Sequence, residues 1–163
     1  MLNFLKNRTQ DSYLSYIETH RPNAIAYING LSDYPNIYGK VKFYQVNDGV
    51  LALSEITGLP NITSDHDFFA MHIHNAHSCD PIDLEKSGHY NPNNVAHPFH
   101  SGDLPVILSN NGRAYQLTLT DKFTVYEILN NTLVIHKNAD DFRSNPTGDS
   151  GEKIACGKII STK

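Results

Sequence analysis

The chain has no tryptophan, only two cysteines in 163 residues, no block of basic residues and no long apolar run. Each absence removes a class of protein. Two cysteines, Cys79 and Cys156, cannot build the dense disulfide scaffold of a small secreted module. A net charge of -4 with no Lys/Arg cluster gives no footing for a nucleic-acid partner. No stretch approaches the ~18 apolar residues that a membrane-spanning helix needs, so no membrane partner is expected. The opening MLNFLKNRTQ lacks the charged start, apolar centre and small-residue cleavage site of an export signal. The expectation is a soluble chain that is either cytoplasmic or an exported form already trimmed.

What is present points to strands. Nine Tyr and seven Phe join many short β-branched or aromatic runs separated by Gly, Pro, Asn and Asp, the composition of an all-β body. The length suits one domain, able to bury roughly 70% of its unfolded surface. Only SYLSYIETH, Ser12 to His20, carries a helical period, through Tyr13, Leu14 and Ile17, and Pro22 stops it. Residues 1–23 are therefore expected as a short helical extension and residues 24–163 as the main domain. From Ala24 the period changes to two. AIAYING, GKVKFYQVN, GVLALSEITGL, FAMHIH, AYQLTLT, TLVIH and GKIIS read as strands, with NDG at Asn47 to Gly49 as a hairpin turn. Between them lie two long irregular stretches, Asn75 to Pro105 and Lys137 to Cys156. Loops of that length are usually functional or disordered. About eight strands in one domain suggest an antiparallel sandwich or flattened barrel with the chemistry on those two loops. The VKFYQV run, with its aromatics, is a candidate face for a homodimer.

The stretch FAMHIHNAHSCD, Phe69 to Asp80, concentrates three histidines and one cysteine. On a strand, His72 and His74 point to the same face and form a two-imidazole clamp. The long loop adds His89, His97, His100 and Asp103, and a later strand ends on His136. Six of the nine histidines belong to this set, leaving His20, His66 and His77 aside. Any single histidine is more often a surface or satisfied core residue, so the cluster carries the argument. Three imidazoles and a carboxylate suit a closed four-coordinate zinc site. Histidines brought together by a sheet suit copper, which favours nitrogen ligands in a roughly planar set. The cysteines leave two readings open. They are small buried hydrophobes in a reducing compartment, or a disulfide closing a loop of about 78 residues and worth roughly 4 to 5 kcal/mol.

HIHxxxSC, GHYNP, HPFHSGDLP, VIHKNADD and GEKIACGKI, in this order, resemble the copper,zinc superoxide dismutase family, nearer its bacterial branch. The resemblance spans Ala24 to Ile160 and implies an eight-stranded Greek-key barrel. It implies copper held by His72, His74, His89 and His136, and zinc held by His89, His97, His100 and Asp103, with His89 shared. Asp140 matches a carboxylate that accepts a hydrogen bond from His72 and from His97, fixing two metal-bound rings through their far nitrogens. Cys79 and Cys156 match the family's disulfide. The implied reaction is disproportionation of superoxide to dioxygen and hydrogen peroxide, with His89 as proton carrier.

One position departs from the pattern. Where the family has an arginine that guides the anion, this chain has Lys153, which keeps the charge and loses the planar fork. An active enzyme, slower or more salt-sensitive, is expected. Lys137 and Arg143 on the same loop are candidates for added positive potential at the mouth. Two rival readings exist: a non-catalytic module that holds structural zinc or handles copper, and a cupin-type mononuclear enzyme. The second lacks its glutamate after HIH and leaves His89 to Asp103 unexplained.

Overall fold

The computed structural model describes residues 10–60 and 67–163. His66 and the first nine residues of the helical extension lie outside them. In chain order the elements are α1 (Gln10–Thr19), β1 (Ala24–Gly30), β2 (Tyr38–Val46), β3 (Gly49–Thr57), β4 (Phe68–Phe69) and β5 (Met71–His74). There follow α2 (Pro81–Lys86), β6 (Ile107–Leu108), β7 (Arg113–Thr120), α3 (Val125–Ile128), β8 (Thr132–His136) and β9 (Lys153–Ser161). Seven strands form one curled antiparallel sheet in the order β5-β8-β9-β1-β2-β3-β7, and β4 pairs with β6 in a small second ladder. The chain leaves β3 near one end of the sheet, crosses to β5 at the other, and returns through β6 to place β7 beside β3. That long return is a Greek-key connection. The all-β expectation therefore holds. No helix among the described residues is long and apolar enough to cross a membrane.

Alternation explains the inside of the curl. Val41 and Phe43 of β2, Val50, Ala52 and Ile56 of β3, Met71 and Ile73 of β5, and Leu133 and Ile135 of β8 all enter one buried cluster. The β2–β3 turn uses Asn47 and Asp48, with Val46 paired to Gly49. Gly49 sits at φ +137°, where a side chain would meet the Thr120 backbone.

Four expectations change. FAMHIH is not one strand: β4 and β5 belong to different ladders. Ala70 between them bonds the end of β8 and the loop after it instead, its carbonyl accepting from His136 N at 2.9 Å and its N–H donating to Asn138 O at 2.8 Å. The Asn75 to Pro105 stretch is not wholly irregular, because Asp80 caps α2 and Pro81 opens it. The last strand starts at Lys153, four residues earlier than Gly157, so Lys153 stands on β9 rather than on a loop. VKFYQV offers no open aromatic face. Phe43 is in the core, while Tyr44 lies with Leu51 and Leu53 under Tyr13, Tyr16 and Ile17 of α1. The helix thus covers apolar side chains on the outer sheet face, each worth about 1.5 to 3 kcal/mol when withdrawn from water. Tyr13 adds a 2.6 Å hydrogen bond to Asp48.

Candidate metal centre

The alternation that sends Met71 and Ile73 inward turns His72 and His74 outward, and β8 delivers His136 beside them. His72 pairs in register with Val134 and His74 with Thr132; a bulge between Ile135 and His136 ends the regular ladder. These outward rings are not exposed, because the long loop folds over them. Tyr90 N donates to Ile73 O at 2.7 Å, Ile73 N to Gly102 O at 2.9 Å, and Asn75 N to Gly88 O at 3.0 Å. The loop thereby acts as a further partner for β5 and brings His89, His97, His100 and Asp103 onto the histidine face. Gly102 permits the approach, since a Cβ there would collide with the Ile73 carbonyl.

All seven side chains are at least nine-tenths buried. They form two groups whose donor atoms lie within 4.8 Å of one another: His72, His74, His89 and His136 in the first, His89, His97, His100 and Asp103 in the second. In the first, His74 Nε2 stands 3.2 Å from His136 Nε2. In the second, His89 Nδ1 is 2.7 Å from Asp103 Oδ1 and 3.3 Å from His100 Nδ1, and His97 Nδ1 is 3.2 Å from Asp103 Oδ2. His89 belongs to both.

Buried nitrogens normally find partners. Here His72 Nδ1, His89 Nε2 and His97 Nδ1 are buried without a hydrogen bond. Each sits on a ring of the two groups, so these three ring nitrogens are ones a cation would take. The donor set fits: four imidazoles on one side, three imidazoles and a carboxylate on the other.

The opposite edges of the same rings are held. Asp140 accepts from His72 Nε2 at 2.7 Å through one oxygen and from His97 Nε2 at 2.9 Å through the other, and Phe142 N donates to it at 2.7 Å. Gly148, at φ +66°, passes close enough to Asp140 and His97 that a side chain would strike both. His136 Nδ1 lies 3.1 Å from the Gly151 carbonyl and 3.2 Å from the Ser150 hydroxyl. His74 Nδ1 lies 3.2 Å from the Ser87 hydroxyl. Sequence reasoning did not find Ser87 or Ser150, because a serine in a loop carries no signal of what it will face.

Burial dominates the electrostatics. It pushes the proton affinity of His72 down against the Asp140 hydrogen bond, and it lowers His74 strongly with His136 adding to the effect. His136 falls to about 3, first from burial and then from the repulsion that a proton on it would feel beside His72. Asp103 and Asp140 show the reverse balance. Burial alone would raise both, but the His89 contact brings Asp103 below its usual range, and donors from His72, Phe142 and His97 bring Asp140 down to about 2. Rings that stay neutral and carboxylates that stay charged are what cation binding requires.

Cys79 and Cys156 form a disulfide that ties the start of α2 to β9. A cavity of about 430 Å³ opens over His74 and His136, with Ser87, Ser150, Gly151 and Lys153 on its wall. Lys153 Nζ donates to the Leu84 carbonyl at 2.7 Å, so its charge is tethered at that wall. Lys137 and Arg143 do not line the cavity, and Lys137 pairs with Glu152 at 3.7 Å.

Residues 37–159 match the family model for copper/zinc superoxide dismutase (SODC). The chain is 37% identical over 133 residues to a Superoxide dismutase [Cu-Zn] of Legionella pneumophila, covering 77% of this chain and 79% of that protein. It is 31% identical over 137 residues to Superoxide dismutase [Cu-Zn] 1 of Aquifex aeolicus, covering 74% and 79%. A crystal structure of a double mutant of a SOD-like protein from Bacillus subtilis shares the fold, with a TM-score of 0.68 at 23% identity over 84% of this chain and 97% of that one. Two histidine groups sharing one ring, under a disulfide-pinned loop on a curled sheet, coincide with these matches, and the chain belongs to the copper/zinc superoxide dismutase family.

Proposed function

We infer that this protein disproportionates superoxide, two anions and two protons giving dioxygen and hydrogen peroxide. His72 Nδ1, His74 Nε2, His89 Nε2 and His136 Nε2 would hold copper; the Nδ1 atoms of His89, His97 and His100 with Asp103 would hold zinc. Copper there supplies a one-electron acceptor and donor in turn, and zinc supplies fixed charge. The observation that carries the reading is His89, whose two nitrogens serve two groups and whose Nε2 is buried without a partner.

The chain's own residues do the rest. Asp140 holds a proton on the far nitrogen of His72 and of His97, which leaves Nδ1 of each bare for a cation. Nε2 of His89, when it is not holding copper, would carry a proton to the reduced substrate. Lys153 places a positive charge on the cavity wall, felt at both His74 and His136, and draws the anion toward those rings. Within the extension 1–23, the described helix α1 stands apart from this chemistry as a cover for the sheet of domain 24–163. The Cys79–Cys156 bond favours an oxidising compartment over the cytoplasm.

The test is to load the protein with copper and zinc, count metals per chain, and follow superoxide removal. One of each metal and rapid turnover is expected. Zinc alone, with no turnover, would replace the enzyme with a metal-holding module.

A further inference from the structure

We propose that Ser87 is a positioning residue for the copper group: its hydroxyl fixes the proton of His74 on Nδ1, and so turns Nε2 bare toward the cation. This rests on the reading of His74 as a copper ligand.

Ser87 follows the last turn of α2 and caps it, its N–H donating to Leu84 O at 3.2 Å. The Ser87 hydroxyl lies 2.8 Å from the same carbonyl. A carbonyl oxygen only accepts, so the hydroxyl hydrogen is committed to Leu84 and the oxygen's lone pairs are left for His74. At 3.2 Å, the His74 nitrogen facing that oxygen must then be the donor. Protonated Nδ1 means an unprotonated Nε2, and Nε2 is the atom facing His136.

Three of the other rings are oriented by stronger acceptors. Asp140 holds His72 and His97 with a buried carboxylate, and the Gly151 carbonyl holds His136. His74 has the hydroxyl as the partner of its Nδ1, and a hydroxyl can rotate. Leu84 O keeps it from doing so. Lys153 Nζ shares that carbonyl at 2.7 Å, so the cavity cation, the end of α2, Ser87 and His74 form one hydrogen-bonded line. Removal of the hydroxyl leaves a buried N–H unpaired and the two tautomers of His74 closer in energy.

Ser87→Ala and Ser87→Thr in the full chain separate positioning from packing. Copper affinity is read by competition with a chelator, the copper(II) environment by electron paramagnetic resonance, and zinc affinity by a separate chelator. In Ser87→Ala, copper affinity is expected to fall about 10-fold or more, in the range for losing the partner of a ligating histidine. The resonance spectrum should change, zinc affinity should hold, and Ser87→Thr should restore the copper properties. Wild-type copper affinity and spectrum in Ser87→Ala would overturn the proposal and leave the copper assignment standing. Equal weakening of copper and zinc, or no rescue by threonine, would assign Ser87 to loop packing and overturn it as well. A wild-type chain that takes up no copper would remove both this inference and the functional reading beneath it.

Discussion

Replacing Asp140 by alanine should weaken both metal groups through one substitution. Asp140 is 4% exposed, and its carboxylate accepts from one imidazole of each group, at 2.7 and 2.9 Å. Hydrogen bonds to a charged partner contribute about 1.5 to 3 kcal/mol each. Without the acceptor, nothing holds the proton of His72 or His97 on Nε2, and the tautomer with Nδ1 protonated, which blocks a cation, becomes populated. At about 1.4 kcal/mol per factor of ten, each group should lose about 10- to 150-fold in affinity. The assay is equilibrium competition against chelators of known strength, run for copper and for zinc on wild type and Asp140→Ala, with melting of the metal-free forms alongside. Wild-type affinity for both ions in the variant would refute the bridging argument. A loss confined to one ion would show that the other ring is held by its remaining contacts.

Three further outcomes are expected. Metal-free protein should lose stability as pH falls below about 6.5: His72, His74 and His136 are neutral in the fold and take up protons once unfolded, at up to about 1.4 kcal/mol per pH unit for each ring. Asp140, held at about 2 in the fold, adds a second loss that starts near pH 4 and is complete once pH has fallen through 2. A flat melting temperature between pH 7 and pH 5 would contradict the first part. Reduction of Cys79–Cys156, 77 positions apart in the chain, should cost about 4.5 kcal/mol on the chain-entropy estimate. Melting with and without reductant, on metal-free protein, measures it, and an unchanged midpoint would mean the loop is held by its other contacts. Lys153→Met should slow superoxide removal by up to about tenfold and flatten its dependence on ionic strength, while Lys153→Arg, which keeps the charge and adds the planar fork, should be at least as fast as the wild type. An unaltered salt slope in the methionine variant would dismiss the steering role.

The sequence was most legible where one face of a strand is apolar. β1 spans AIAYING, whose Ala24, Ala26 and Ile28 enter the core in alternation, while β8 spans TLVIH, a β-branched run buried on both faces and bounded by polar loop residues. It was least legible where backbone bonding decides. FAMHIH is continuous in pattern, and only the bonds of Ala70 to Asn138 and His136 split it. The signal for α2 was present in CDPIDLEK, a capping Asp followed by Pro, but the Pro- and Asn-rich loop around it hid it; α3 has its capping box in Thr124 and Glu127 but is only four residues long, too short to show a helical period. Histidine and Asp103 positions stood out because their residue types are rare at that density. The acceptors that orient the rings, a serine hydroxyl and the carbonyl of Gly151, have no such mark, since any residue supplies a carbonyl and most loop serines face water. The placing of Lys153 failed for a related reason, since EKIACG alternates too briefly to announce the strand it begins.

A carboxylate gripping one ring from each side, and an imidazole common to both, make the two nests a single responsive unit. Whichever ion arrives first freezes His89 and presses His72 and His97 into the orientation the other side also needs. Thermodynamic reciprocity then requires that copper promote zinc uptake by the same factor by which zinc promotes copper uptake. Half-filled molecules should accordingly be scarcer than independent filling would give, and loading this chain should look cooperative even though each group would take a single ion.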